Sequence, residues 1–107
     1  MKALAAVLAA GLRVRIEPLG RWGATALLAE YDPARRTIGI DAGAVARMCA
    51  AAGEGSARRF IACALWHELF HHRNPGATEA AAHAFARERC GDDPQGFSAL
   101  LRSGSGR

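Results

Sequence analysis

Two histidines and a glutamate stand at a spacing that could do chemistry, in the stretch His67–Glu68–Leu69–Phe70–His71, which reads H-E-x-x-H. On an α-helix, side chains four residues apart lie on one face, so His67 and His71 could bind one Zn²⁺ ion through their ring nitrogens. Glu68 lies about 100° further around such a helix, where it could take a proton from a water on the ion. The spacing therefore predicts a zinc site with Glu68 as general base.

A zinc site of this kind needs one more protein ligand, because catalytic zinc usually has three protein ligands and a water. Glu79 and His83 lie four residues apart in the next predicted helix. The turn Asn74–Pro75–Gly76 would fold that helix back against the first one. A carboxylate would complete a His₂Glu site and an imidazole a His₃ site, so the residue types leave both candidates open.

The segment from Glu79 to Ala86 reads E-A-A-A-H-A-F-A and resembles the second motif of gluzincin metallopeptidases, E-x-x-A-[DH]-x-F-A. The two motifs together are similar to those of the small ImmA/IrrE-like peptidases, the minigluzincins and the membrane-bound CAAX-peptidase group. The resemblance covers about Ile61 to Ala86. It implies that Glu79 is the third zinc ligand and that His83 is a polar group orienting the site. These families often have an aspartate at the position of His83, so His83 remains the rival ligand.

Two other residues are candidates for contacts with a substrate or a transition state. His72 directly follows the motif and projects onto the side of the helix away from the metal. A place on the surface is the simpler interpretation for His72, and a place at the lip of the site is the alternative. Tyr31 is the lone tyrosine. We expect it to pack in the core or in a hairpin, with hydrogen bonding to a transition state as the alternative.

Three strands are predicted to form a small sheet near the motif. Leu12 to Glu17 alternates apolar and polar residues, and further strands are expected over Ala26–Tyr31 and Thr37–Ile40. The residues Asp32 to Arg36 between the last two predict a turn, because a proline after an aspartate favours a type I turn. An extended substrate would add to an edge strand, which we take to be Thr37–Ile40.

Helices account for most of the remaining chain. The predicted helices cover Ala3–Ala10, Ala42–Ala51, Ala57–Arg73, Thr78–Cys90 and Pro94–Leu101. Gly11, Gly53, Gly55 and Gly91 are expected to end helices, and Asp41, Ser56 and Thr78 to cap them. The helix with the H-E-x-x-H motif is apolar on almost every side, which predicts that it runs through the core.

These elements predict an α+β fold, and the resemblance implies that residues 1–102 form a small zincin-like domain. A disordered tail is expected at 103–107. The net charge is +4, but the basic residues form no stripe, so the pattern does not favour nucleic-acid binding. No stretch reaches membrane-spanning length. The three cysteines lack C-x-x-C spacing, which favours a reducing, cytoplasmic location, and the short apolar start is a weak signal-peptide pattern.

The combined expectation is a zinc metallopeptidase that hydrolyses a peptide or protein substrate. Zn²⁺ would be held by His67, His71 and Glu79, with Glu68 moving the proton. The alternative to an enzyme is a non-catalytic interaction or regulatory module that zinc stabilises. A basic regulator that contacts nucleic acid is a third reading. The sequence leaves the substrate, the oligomeric state and any activation step open.

Overall fold

The computed structural model describes residues 1–22, 25–26 and 28–90. The helices are α1 Lys2–Ala9, α2 Ala42–Ala52, α3 Glu54–Arg73 and α4 Glu79–Cys90, and the strands are β1 Arg13–Glu17, β2 Arg21–Trp22, β3 Thr25–Ala26, β4 Ala29–Asp32 and β5 Thr37–Asp41. The described part is thus a small α+β fold, as the sequence predicts. The helix expected over Pro94–Leu101, the helix end at Gly91 and the tail at 103–107 lie outside the described residues.

Strands β1, β5 and β4 form the predicted three-stranded sheet in that order, while β2 and β3 form a separate two-stranded ribbon. β5 runs parallel to β1 and antiparallel to β4. The prediction that Thr37–Ile40 is an edge strand is wrong, because β5 is paired on both sides. Its Ile38 and Ile40 have no exposed surface, which suits the central place in the sheet.

The second predicted strand, over Ala26–Tyr31, is in fact two short strands. β3 ends at Ala26 and pairs with β2, whereas β4 begins at Ala29 and pairs with β5. The hairpin between β4 and β5 is confirmed, and Asp32 makes its turn. The Asp32 Oδ1 atom accepts hydrogen bonds from the backbone N–H groups of Ala34 and Arg35.

Local capping interactions determine where two of the helices begin and end. Gly11 follows α1 with a φ of 77°, a conformation that glycine adopts without strain. Asp41 caps α2 as predicted, since its Oδ2 atom accepts a hydrogen bond from the backbone N–H of Ala44 at 2.9 Å.

The predicted start of α3 is wrong. The helix begins at Glu54 rather than Ala57, so Gly55 and Ser56 lie in its first turn and Ser56 is not its cap. Gly53 alone separates α2 from α3, with a φ of 91°. The turn at Gly53 is enough to change the direction of the chain, so Gly55 can adopt the helical conformation. Glu54 in the first turn also complements the helix dipole.

Helix α3 lies at the centre of the fold and contacts all three other described helices as well as β4 and β5. Its buried side chains include Phe60, Cys63, Leu65 and Leu69, which confirms the expected core position. Side chains on such a helix are held by packing on several sides, which makes it a rigid base for a functional site.

Within the described residues, none of the helices combines the length and apolar character that crossing a bilayer requires.

Candidate metal centre

The turn after α3 places α4 beside the H-E-x-x-H motif. The side-chain amide of Asn74 donates to the carbonyl of Phe70 and ends α3. Thr78 caps α4 as predicted, since its Oγ1 atom accepts a hydrogen bond from the backbone N–H of Ala81 at 3.1 Å. Glu79 is consequently the first residue of α4 and lies next to the last turns of α3.

Aromatic packing fixes α4 against α3 nearly two turns after Glu79. The Phe85 ring lies 5.0 Å from Phe70 and 6.1 Å from Trp66, measured between ring centroids. Arg89 covers this group, with its guanidinium carbon 4.9 Å from the Phe85 centroid. The small side chains of Ala82 and Ala86 are fully buried, which allows a close approach of the two helices.

His67, His71 and Glu79 come together at this helix pair. The Nε2 atom of His67 lies 3.0 Å from Glu79 Oε2, and the Nε2 atom of His71 lies 3.1 Å from Glu79 Oε1. One ligand atom from each residue can be chosen so that all three lie within 4.8 Å of one another. In a tetrahedral zinc site with bonds of about 2.0–2.1 Å, neighbouring ligand atoms are about 3.3 Å apart. The two imidazole–carboxylate distances are close to this value, so the three side chains could hold one metal ion.

The buried nitrogen of His71 adds to this fit. Although its Nε2 atom is close to Glu79, no described residue makes a hydrogen bond with it. A buried polar atom without a partner costs free energy, and a bound cation would remove that cost. Two imidazole nitrogens and a carboxylate are also a ligand set that zinc accepts.

His83 lies next to this group but is not one of its three residues. Its ring centroid is 4.7 Å from that of His67, and its buried Nδ1 atom has no hydrogen-bond partner among the described residues. The geometry thus favours Glu79 over His83 as the third ligand. His83 remains close enough to influence the orientation and charge of His67.

Glu68 lies beside the three residues without belonging to them. Its side chain is buried, with 7% of the residue exposed, and its Oε2 atom is 3.7 Å from His67 Nε2. Burial raises the pKa of Glu68 to about 7, and the negative charges of Glu79 and Glu30 add to the increase. The backbone N–H of Tyr31 donates a hydrogen bond to the carboxylate and opposes the increase in pKa.

The pKa of His67 is lowered, chiefly because burial disfavours the imidazolium form. The neighbouring His83 and His71 lower it further, while the charge of Glu79 and its hydrogen bond act in the opposite direction. A lowered pKa keeps His67 neutral near pH 7, which is the protonation state that binds a metal.

Tyr31 and His72 contact each other. The Tyr31 hydroxyl lies 2.7 Å from His72 Nδ1, and the two rings meet edge to face at 5.2 Å. His72 is half-buried and contacts Tyr31 of β4, so it lies at a partly covered position on the surface. His72 lies four residues after Glu68, so both side chains stand on the face of α3 that meets Tyr31.

Two contributors to the site were missed at the level of sequence. One is Glu30 of β4, whose charge acts on Glu68. The other is the backbone N–H of Tyr31, which residue types do not reveal at all. The signal that could have predicted both contributors is the position of β4 at an edge of the sheet, beside α3.

Comparisons with protein-family models, with curated proteins and with solved structures give no match for this chain. Its function is therefore inferred from the geometry of the candidate metal centre.

Proposed function

We propose that this chain is a zinc-dependent peptidase with a zincin-like domain of the gluzincin type. The observation that carries the proposal is the position of Glu68, a buried carboxylate next to three potential metal ligands but outside the ligand group. A carboxylate is costly to bury, and a purely structural metal site gains nothing from one at this place.

His67, His71 and Glu79 would hold the zinc ion. Bound there, zinc would lower the pKa of a water molecule towards about 7 and polarise a peptide carbonyl. A zinc ion held by these three residues would keep a coordination position for water or substrate, in contrast to structural zinc sites with four protein ligands. The Glu79 side chain is 71% exposed, so the α4 side of the centre is accessible to a substrate.

Glu68 would act as the general base and then as the general acid. Its carboxylate accepts a proton from the water that attacks the carbonyl carbon, and it then donates this proton to the leaving amine nitrogen. A group is most effective in this exchange when its pKa lies near the working pH. The raised pKa of Glu68, about 7, lies near neutral pH in the protein without metal. The positive charge of a bound ion would lower this pKa.

An extended peptide could pair with β4, which replaces Thr37–Ile40 as the expected edge strand. The carbonyl of Leu28 accepts a hydrogen bond from the backbone N–H of Asp41, so Leu28 faces β5. Hydrogen bonding alternates along an antiparallel pair, and the backbone groups of Ala29 and Tyr31 therefore point away from β5. The N–H and C=O of Ala29 and the C=O of Tyr31 would offer hydrogen bonds to a substrate next to Glu68, while the Tyr31 N–H donates to the Glu68 carboxylate.

The proposal is tested with zinc-loaded protein, a mixture of quenched fluorescent peptides and the variant Glu68→Gln. We expect the native chain to bind one zinc ion and to cleave peptides. Glu68→Gln should keep the fold and the zinc but lose turnover by at least about 100-fold, since general acid–base catalysis contributes about 10²–10⁴-fold. Glu88→Gln, an exposed change on α4, is the matched control and should keep full turnover.

Two results would contradict the proposal. Equal cleavage by the native chain and Glu68→Gln would exclude Glu68 as the base. Zinc binding with no cleavage of any peptide by the native chain would favour the alternative, a non-catalytic module that zinc stabilises.

A further inference from the structure

Tyr31 contacts two residues of α3 at once. Its backbone N–H donates to the Glu68 carboxylate, and its hydroxyl lies 2.7 Å from His72 Nδ1. Glu68 and His72 are one helical turn apart on the same face. Tyr31 of β4 thus contacts both Glu68, the proposed base, and His72, which directly follows the proposed zinc ligand His71.

The backbone contact depends on where β4 lies. Tyr31 pairs with Ile38 of β5 at a position where its own N–H points outward from the sheet. β4 has only four residues and, within the described chain, is hydrogen-bonded to a strand on one side alone. Edge strands of this kind twist and shift more easily than central strands. A second attachment is needed to keep the Tyr31 N–H aligned with the carboxylate.

The hydrogen bond between Tyr31 and His72 is that attachment. It connects the strand to α3 through two half-buried side chains whose rings also meet edge to face. α3 itself is held by the core, where Leu65 and Leu69 are fully buried. The strand is therefore anchored to the central helix of the described fold.

We propose that the Tyr31–His72 hydrogen bond positions Glu68. It holds β4 against α3, which keeps the Tyr31 N–H on the carboxylate and fixes the orientation of that carboxylate beside His67. Tyr31 and His72 are positioning residues that act through Glu68. The catalytic consequence rests on the proposed peptidase function, whereas the structural consequence does not.

Tyr31→Phe is the sharpest perturbation, because it removes the hydroxyl and keeps the ring. His72→Phe removes the other partner, and His72→Asn retains a polar atom near the position of Nδ1. Thr37→Val is the matched control. It removes the hydrogen bond from Thr37 Oγ1 to the carbonyl of Arg35 within the same hairpin, a bond that does not involve α3.

The first measurement is the rate of hydrogen exchange at the backbone amide of residue 31. NMR detects this exchange in the full chain, with and without zinc. We expect Tyr31→Phe and His72→Phe to accelerate this exchange by about tenfold or more, relative to the amide of Ile40 as an internal reference. His72→Asn should restore much of the protection, and Thr37→Val should leave it unchanged. Unaltered protection at position 31 in both Phe variants would overturn the inference.

The second measurement separates kcat from KM on zinc-loaded protein. A misoriented base should lower kcat by about tenfold while KM and the zinc content stay the same. The double variant Tyr31→Phe, His72→Phe should lose no more than either single variant, because both changes break one bond. Additive losses, or losses that accompany release of zinc, would overturn the inference.

The two proposals fail in different ways. If the native chain cleaves no peptide while the exchange results are as expected, the peptidase function fails and the positioning contact stands. If the native chain is active and the variants keep native kcat, the peptidase function stands and the positioning role is wrong.

Discussion

Glu68 should make the stability of the metal-free protein depend on pH. The perturbation is Glu68→Gln, which replaces an ionisable side chain with a neutral one of similar shape. In the folded protein, burial raises the pKa of Glu68 from its ordinary value of 4.5 to about 7, with Glu79 and Glu30 adding to the increase. The free energy of unfolding must reflect this difference, because the unfolded chain has the ordinary value.

The sign follows from proton binding. Below pH 4.5, the carboxyl is protonated in both states and its burial costs little. As the pH rises towards 7, the unfolded chain loses this proton while the folded protein retains it, so the free energy of unfolding decreases. Above that range the loss is complete. A rise of the Glu68 pKa from 4.5 to about 7 corresponds to about 3 kcal/mol of free energy of unfolding.

Urea denaturation of chelator-treated protein, repeated between about pH 4.5 and pH 8, gives the free energies of unfolding. The useful quantity is the difference between Glu68→Gln and the native chain, since groups that titrate in both largely cancel. We expect Glu68→Gln to gain about 3 kcal/mol relative to the native chain across this range. Glu88→Gln, which changes an exposed carboxylate, should show almost no such trend.

A difference that stays constant within about 1 kcal/mol over the whole range would refute the reasoning. It would mean that Glu68 is hydrated in the folded state and is not held in the buried position beside His67. The base assigned to the proposed mechanism would then have an ordinary acidity.

The remaining predictions concern the metal and the fold. Zinc at about 100 times its dissociation constant should stabilise the native chain by about 2.7 kcal/mol, and titration calorimetry should show Glu79→Gln binding zinc at least tenfold more weakly, with Glu88→Gln unchanged. Asp41→Ala should cost about 1–2 kcal/mol in urea denaturation, because Asp41 caps α2 and also accepts a second backbone hydrogen bond; a cost near zero would contradict the cap. Leu69→Ala should cost about 3–5 kcal/mol, whereas Leu8→Ala, at a side chain with 56% exposure, should stay within about 0.5 kcal/mol.

Some features of the fold could be predicted from the sequence because they depend on neighbours in the chain. Asp41 and Thr78 each cap a helix through a backbone N–H three residues later. Asp32 makes the hairpin turn through the backbone N–H groups two and three residues later. The periodicity of His67 and His71 on one helical face is equally local. Contacts of this kind form whatever the rest of the chain does, so residue types and spacing are sufficient to predict them.

Other features were decided by the tertiary structure alone. The order β1-β5-β4 makes β5 central and leaves β4 and β1 at the two edges of this sheet, although the sequences of the strands give no sign of which neighbours they pair with. The meeting of Tyr31 with Glu68 and His72 follows from that order. These contacts join residues about 40 positions apart, and their free energy depends on burial and on the docking of whole elements. The sequence by itself therefore determined which groups are available for chemistry, while the packing of α3 against α4 and β4 decided which of them meet.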